Sequence, residues 1–342
     1  MADDDGALGE FELIERMVAL FPQKGLGLVC GSGDDCAVFD LPEGFSVVAT
    51  CDSLVEGVHF LTGSDPFLVG RKAVAVNISD VAAMGAIPAF LLVSLALPEK
   101  TPVAFMESLS RGMAFEAQRY GAAIIGGNMA KSPQSVIIDI TCLGRIEKGK
   151  ALYRSGAREG DLVAVTGTLG DSAAGLLLLK NPDIQMEDGV RLRLAAAHAT
   201  PAPRVEEGRI LSASGMVSSS IDVSDGLVAD LGHILLQSGR GANIFIDRLP
   251  ISHELVQAAQ ALGKDPVNLA LYGGEDYELC FTLPKSEFQS SREKFAGLSL
   301  APISAIGRIT GQQGVIRLID SSGNAKAAEN DRGWDHFRRK DS

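Results

Sequence analysis

No stretch of this sequence is apolar for long enough to span a bilayer. The longest, Ile87 to Leu97, is about half of the ~20 residues a membrane helix needs and contains a proline and a serine. Cysteine is sparse: Cys30, Cys36, Cys51, Cys142 and Cys280 are odd in number and form no C-x-x-C pair, which argues against a disulfide framework and a zinc site. Aromatic residues make up only 6%, so the apolar mass comes from alanine, valine, leucine and isoleucine, as in an α/β protein. Lysine and arginine total 31 against 43 acidic residues, a net charge of -12. Nucleic-acid binding needs a basic surface, so it is not expected; the acidity suits divalent cations and a cationic substrate. The opening Met-Ala-Asp-Asp-Asp has neither the positive charge nor the apolar core of a signal peptide, so a cytoplasmic location is expected.

Several catalytic signatures are also missing. There is no G-x-x-x-x-G-K-[ST], no H-R-D and no D-F-G, which excludes a P-loop and a protein-kinase site. Gly31-Ser-Gly33 lacks the third glycine of a dinucleotide fingerprint. Neither H-E-x-x-H nor G-x-S-x-G occurs, which removes the common zinc and serine hydrolases.

What remains is a series of acidic or amide groups beside glycine or serine at the ends of apolar runs: Gly33-Asp-Asp35, Cys51-Asp-Ser53, Ser79-Asp80, Gly126-Gly-Asn128 and Asp222-Val-Ser-Asp-Gly226. Each alone is compatible with a turn or a helix cap. Together they read as a divided magnesium and phosphate site, since magnesium takes oxygen ligands from one or two carboxylates and from nucleotide phosphates. Asp34 and Asp35 either point apart in a turn or share a cation, because paired carboxylates at ~4 Å repel by roughly 4 kcal/mol. Asp52 is expected at the carboxyl end of a buried strand over Ser46 to Cys51. Asp80 stands in a helix that is apolar nearly all round and shares a face with Asn77 and Met84. A carboxylate buried there requires a metal, a basic partner or a cap, the alternative being a second short helix that starts at Ser79 and Asp80. Ser224 or Asp225 is the expected N-cap of a following helix, whose free amides would favour an anion, leaving Asp222 for metal or for a basic partner.

The 342 residues suggest two domains, with a boundary near residue 148 in a basic, glycine-containing stretch: 1–148 and 149–342. In the first half the pattern predicts a helix over Phe11 to Phe21 and strands at Ala37 to Phe39, Ala122 to Ile125 and Val136 to Leu143. Helices are predicted over Pro66 to Met84 and Val103 to Tyr120. In the second half it predicts strands at Leu162 to Thr166, Ser218 to Val223, Asn243 to Ile246 and Tyr277 to Leu283. Helices follow at Asp171 to Leu179, Gly226 to Gln237 and His253 to Leu262. Gly-Arg-Ile recurs at 144–146 and 307–309 and is read as closing the sheet of each domain.

Taken as an ordered set, Gly33-Asp-Asp-Cys-Ala37, Asp52-Ser-Leu-Val-Glu-Gly-Val-His-Phe60, Lys72 to Ala86, Arg154-Ser-Gly-Ala157, Ile221 to Leu227, Gly273-Gly-Glu-Asp-Tyr-Glu278 and Gly333-Trp-Asp-His-Phe337 resemble the thiamine-monophosphate kinase family. The single pieces point only to the wider superfamily of enzymes similar to aminoimidazole-ribonucleotide synthase. The resemblance implies a two-domain α/β (α+β) fold and a homodimer whose amino-terminal domains form an intersubunit β-barrel. It also implies transfer of the γ-phosphoryl of ATP to thiamine monophosphate. Carried over by position, Asp35, Thr50, Cys51, Asp52, Asp80, Asn128, Asp222 and Asp225 would hold several magnesium ions, Cys51 through its backbone. Gly127, Asn128, Arg154 and Ser224 would contact ATP, and His59, Glu275 and Trp334 the substrate. Direct in-line transfer needs no general base, because the attacking phosphate oxygen is already ionised.

One departure stands out. The family reads Gly-Gly-Asp followed by threonines and an arginine, where this chain has Asn128 and Lys131, so a charge is lost and a forked guanidinium becomes a point cation. The alternatives are therefore a low-activity paralogue that binds nucleotide or thiamine phosphates, or another ATP-dependent enzyme of the superfamily.

Overall fold

The computed structural model describes residues 16–17, 19–21, 28–30, 38–39 and 42–329. The predicted helix over Phe11 to Phe21 therefore falls largely outside the described residues, as do Asp34, Asp35 and Trp334. The chain divides into two compact units, residues 1–81 with 87–146, and residues 82–86 with 147–342.

The first unit contains a short antiparallel pair, β1 (Leu28–Cys30) with β2 (Val38–Phe39), and a four-stranded sheet. The sheet order is β3 (Phe45–Val55), β6 (Ile137–Glu147), β4 (Ile87–Pro98), β5 (Ala123–Ser132). Its alternation is visible in β6, where Ile138, Ile140, Cys142 and Ile146 are buried while Asp139 and Thr141 are partly exposed. Helices α1 (Pro66–Ala83) and α2 (Val103–Arg119) supply the rest of the core. Ala73, Val74, Ala75 and Ile78 of α1 are wholly buried, and Arg71 ties it to α2 through the buried Glu116 at 2.6 Å. The opposite face of the sheet stays open, with Val47 at 43% and Leu92 at 38% exposure.

The second unit is built on a seven-stranded sheet ordered β13 (Ala325–Ala327), β12 (Ile316–Ile319), β9 (Gly241–Phe245), β11 (Ile303–Thr310), β7 (Leu162–Thr166), β10 (Leu279–Leu283), β8 (Ser219–Asp222). Its pairings are antiparallel except β12 with β9. β10 is buried along its length because both faces are covered. Cys280 joins the core containing Leu227, Leu231 and Leu235 of α6 (Leu227–Ser238), while Leu279, Phe281 and Leu283 pack with Phe295 and Leu211. A helical layer of α3 (Asp171–Lys180), α4 (Asp188–Ala199) and α7 (His253–Leu262) closes around Leu178, Leu194 and Leu255. Helices α5 (Val205–Ser214), α8 (Pro266–Tyr272) and α9 (Lys285–Gly297) complete the unit.

Three expectations are corrected. The strand expected to end at Cys51 runs on to Val55, so Asp52 lies within it rather than at its end; polar residues continue the strand because β3 is an edge with an exposed face. The strand expected over Ala122 to Ile125 continues through Gly126, Gly127 and Asn128, paired in parallel with β4 as far as Ser132. The two Gly-Arg-Ile copies lie in β6 and β11, which are inner strands and close neither sheet.

Candidate active site

In the first unit, Thr50 and Asp52 lie on one side of β3 by the two-residue alternation of a strand, and both meet α1. The Thr50 hydroxyl donates to Asp80 Oδ2 at 2.5 Å, and the Asp52 N–H donates to Asn77 Oδ1 at 3.0 Å. Asn77 is fully buried and holds its orientation by donating back to the Ala73 carbonyl at 3.0 Å. α1 is unbroken through Asp80, which excludes a second helix starting at Ser79, and Asp80 is half-buried rather than enclosed. Thr50, Asp52 and Asp80 are thus brought together.

The Cys51 side chain lies on the other side of β3. Its Sγ donates to Asp139 Oδ1 at 3.1 Å, and the Ser53 hydroxyl donates to Asp139 Oδ2 at 2.6 Å. That bond to a carboxylate raises the thiol pKa, and only the Cys51 backbone remains beside Thr50 and Asp52. Asn128 is exposed on β5, opposite Ser94 of β4. The preceding Gly127 has a steric reason, since a Cβ there would lie 1.9 Å from the Val93 carbonyl oxygen. Lys131 pairs with Glu99 at 2.9 Å on the surface. His59 accepts the Val55 N–H on Nδ1 at 3.0 Å, which leaves Nε2 as the nitrogen that carries its proton when neutral. The His59 carbonyl receives the ammonium of Lys72 at 2.9 Å, a buried lysine that the sequence reading did not single out.

In the second unit, β8 ends at Asp222, which is 3% exposed. The chain then turns through Ser224 and Asp225 to Gly226, whose φ of +110° suits only glycine, before α6 begins. Asp230, one turn into α6, accepts the N–H groups of both Ser224 and Asp225 at 3.0 Å. The N-cap expectation is corrected: Gly226, not Ser224 or Asp225, takes that position, and the amides of the preceding turn are used by a carboxylate of the chain itself. Burial raises the Asp230 pKa well above the ordinary value, and the nearby charges of Asp222 and Asp225 raise it further. Sequence reasoning missed Asp230, whose only linear signal is an acid in the first turn of a helix.

The loop before β10 packs against this turn. Glu275 N–H donates to the Ser224 carbonyl at 2.7 Å, and Tyr277 N–H to that of Val223 at 2.9 Å. The Glu278 carboxylate is bound by both Arg204 Nε and Nη2 and by the Thr166 hydroxyl. Arg154 is exposed, in a loop pinned by the Gly156 and Ala157 N–H groups donating to Ser238 Oγ at 3.2 and 3.1 Å.

Among the described residues no three His, Cys, Asp or Glu side chains converge to hold a metal by themselves. The donors are oxygens in two small groups, each with two carboxylates: Thr50 with Asp52 and Asp80, and Asp222 with Asp225. Such a set fits magnesium, which completes its shell with water and phosphate oxygens, and does not fit zinc.

Comparison with known proteins adds to this geometry. Residues 33–146 match the AIR synthase related protein N-terminal domain, and residues 158–320 the corresponding C-terminal domain. The thiamine-monophosphate kinase of Escherichia coli K12 is 40% identical over 336 residues, which cover 97% of this chain and 99% of that protein. The chain belongs to the thiamine-monophosphate kinase family. Two solved structures of the family share its fold. The thiamine-monophosphate kinase of Stenotrophomonas maltophilia K279a superposes with a TM-score of 0.81 at 36% identity, covering 93% of this chain and 98% of that one. AaThiL complexed with AMPPCP and TMP gives a TM-score of 0.76 at 36% identity, covering 96% and 97%.

Proposed function

We infer that the chain transfers the γ-phosphoryl group of ATP to the phosphate of thiamine monophosphate, yielding thiamine diphosphate and ADP. The observation that carries this reading is the family relationship to AaThiL, a structure complexed with AMPPCP and TMP, over nearly the whole chain. In the reaction a phosphate oxygen of thiamine monophosphate forms a bond to the γ-phosphorus as the bond from that phosphorus to the β,γ-bridging oxygen breaks. Magnesium, when bound, neutralises the phosphates and the charge that spreads over the transferring group.

The residues supply position rather than proton transfer. The bond that the Asp52 N–H donates to Asn77 Oδ1 holds β3 against α1, so Thr50, Asp52 and Asp80 present oxygens from a rigid strand and helix. Asp230 holds the Ser224–Asp225 turn and so the direction of Asp222 and Asp225. His59 offers Nε2–H to an anionic phosphate, and Glu275 offsets the thiazolium charge. Gly127, Asn128, Arg154 and Ser224 are assigned to ATP. Asp35 and Trp334 keep their roles in metal and substrate binding by resemblance, outside the described residues. We place the enzyme in the cytoplasm, where ATP is supplied; no helix among the described residues is long and apolar enough to cross a membrane. The open face of the first unit's sheet is the surface assigned to a homodimer.

Incubation of the purified protein with ATP, magnesium and thiamine monophosphate is expected to give thiamine diphosphate. Asp52→Ala is expected to lower turnover by about a thousandfold, the size of effect that loss of a key electrostatic group produces. An Asn128→Asp variant tests the second reading, a weak-turnover binder, which rests on the amide at Asn128. Faster product from that variant supports the reading of impaired metal binding, and product from neither protein overturns the kinase function.

A further inference from the structure

Glu275 holds a backbone conformation that an L side chain adopts only at a cost. Its φ is +64°, and that of Tyr277 is +50°. In this left-handed region a non-glycine residue is strained by the close approach of its Cβ to the backbone carbonyl, whereas glycine sits there freely. Strain of this kind persists where surrounding contacts over-determine it. Here the contacts are specific. The Glu275 N–H is bound by the Ser224 carbonyl, and Glu275 Oε2 lies 3.2 Å from His198 Nδ1. Its neighbour Asp276 accepts the Gly170 N–H at 2.8 Å, and Glu278 is clamped by Arg204 and Thr166.

His198 stands near the end of α4 with a side chain 6% exposed, while the Glu275 side chain is 24% exposed. The imidazole is therefore the buried member of the pair and the carboxylate the one that reaches the surface. The same Nδ1 lies 3.3 Å from Ser172 Oγ. An ionised carboxylate can only accept, so the nitrogen facing it carries the proton, and the serine hydroxyl is a second, longer contact of that N–H. A charge-assisted bond of this geometry fixes the direction of the carboxylate, not only its presence.

We propose that His198 is a positioning residue: through Nδ1–H it aims the Glu275 carboxylate at the cationic ring of the acceptor substrate, and so sets affinity for thiamine monophosphate and not for ATP. The inference rests on the proposed function and on Glu275 as an acceptor contact. A histidine with a purely structural role would alter stability without separating the two substrates.

The test is steady-state kinetics on both substrates for the wild type, H198L, H198N, E275Q and the H198L/E275Q pair, each checked by thermal unfolding. His198→Leu is expected to raise KM for thiamine monophosphate about tenfold, the order of effect of one charge-assisted hydrogen bond, with KM for ATP changed by less than about twofold. His198→Asn, whose amide N–H falls near the position of Nδ1–H, is expected to restore most of the loss. Adding His198→Leu to Glu275→Gln is expected to change KM little further, because the two act as one unit. Equal rises in both KM values, or losses that simply compound in the double variant, would overturn the proposal. If H198L does not fold, H198A takes its place in the same comparison, and no separation of the two KM values in H198A also overturns it. An unchanged KM in Glu275→Gln removes Glu275 as the contact and the proposal with it, while the wild type still makes thiamine diphosphate. Absence of product from the wild type defeats the function itself and is a separate result.

Discussion

Asp276 carries a carboxyl whose pKa burial raises well above its ordinary value of 3.8; the Gly170 N–H lowers it in part, and Asp171 raises it again. The folded chain thus holds a proton there that the unfolded chain has already lost. The stabilisation is complete below the ordinary value and is lost as pH rises through the raised folded value. Asp276→Asn is expected to remove this dependence, so the melting temperature of the wild type relative to the variant should fall as pH is raised from the ordinary value of 3.8 upward. A constant difference would refute it. Asp230→Ala leaves the Ser224 and Asp225 N–H groups without their acceptor and is expected to cost about 1–3 kcal/mol in denaturant unfolding, together with most of the phosphoryl-transfer rate. Asp230→Asn should retain more stability, since an amide oxygen still accepts. Residue types alone pointed to Asp52, Asp80, Asp222 and Asp225 as oxygen donors, yet they did not reveal Asp230, and they placed Asn77 on the face of Asp80 without its bond to the Asp52 N–H. Both act through hydrogen bonds to backbone brought close by a turn or by a second element, which spacing along the chain does not show.

At the scale of elements, helices with a continuous apolar stripe were readable and weakly patterned ones were not. α1, α2, α3 and α7 follow their expected spans within a residue or two, because capping glycines or prolines bound long apolar runs. α9 was not legible: in Lys285–Gly297 only Phe295 is buried, and one buried side chain sets no period. β5 was cut short in the sequence reading because Gly126-Gly127 reads as a turn, although Gly127 is there to let β4 and β5 approach. Gly127→Ala is accordingly expected to push the strands apart at Val93 and to cost roughly 1–3 kcal/mol, the range for overpacking, read as a lowered denaturant midpoint. Little change would mean that the strands separate there without penalty.

For the whole molecule, the open sheet face of the first unit carries Val47, Leu92, Thr141 and the Cys51–Ser53–Asp139 cluster. If this face is the dimer surface, the chain sediments at twice its monomer mass, and Leu92→Asp shifts it to monomer by burying an unpaired charge. A monomeric wild type would reject that assignment. Linear order was enough to point to the family and to a set of oxygen donors, because the motif types survive in sequence whatever their surroundings, while composition argued against membrane helices, zinc and nucleic acid. It could not tell that Thr50 and Asp80 share a hydrogen bond, that Cys51 turns away toward Asp139, or that the amides beside Asp222 are taken by Asp230. Those are matters of which side of a strand meets which turn of a helix and where a backbone N–H points. Both are settled by packing between segments far apart in the chain, and local spacing does not encode them.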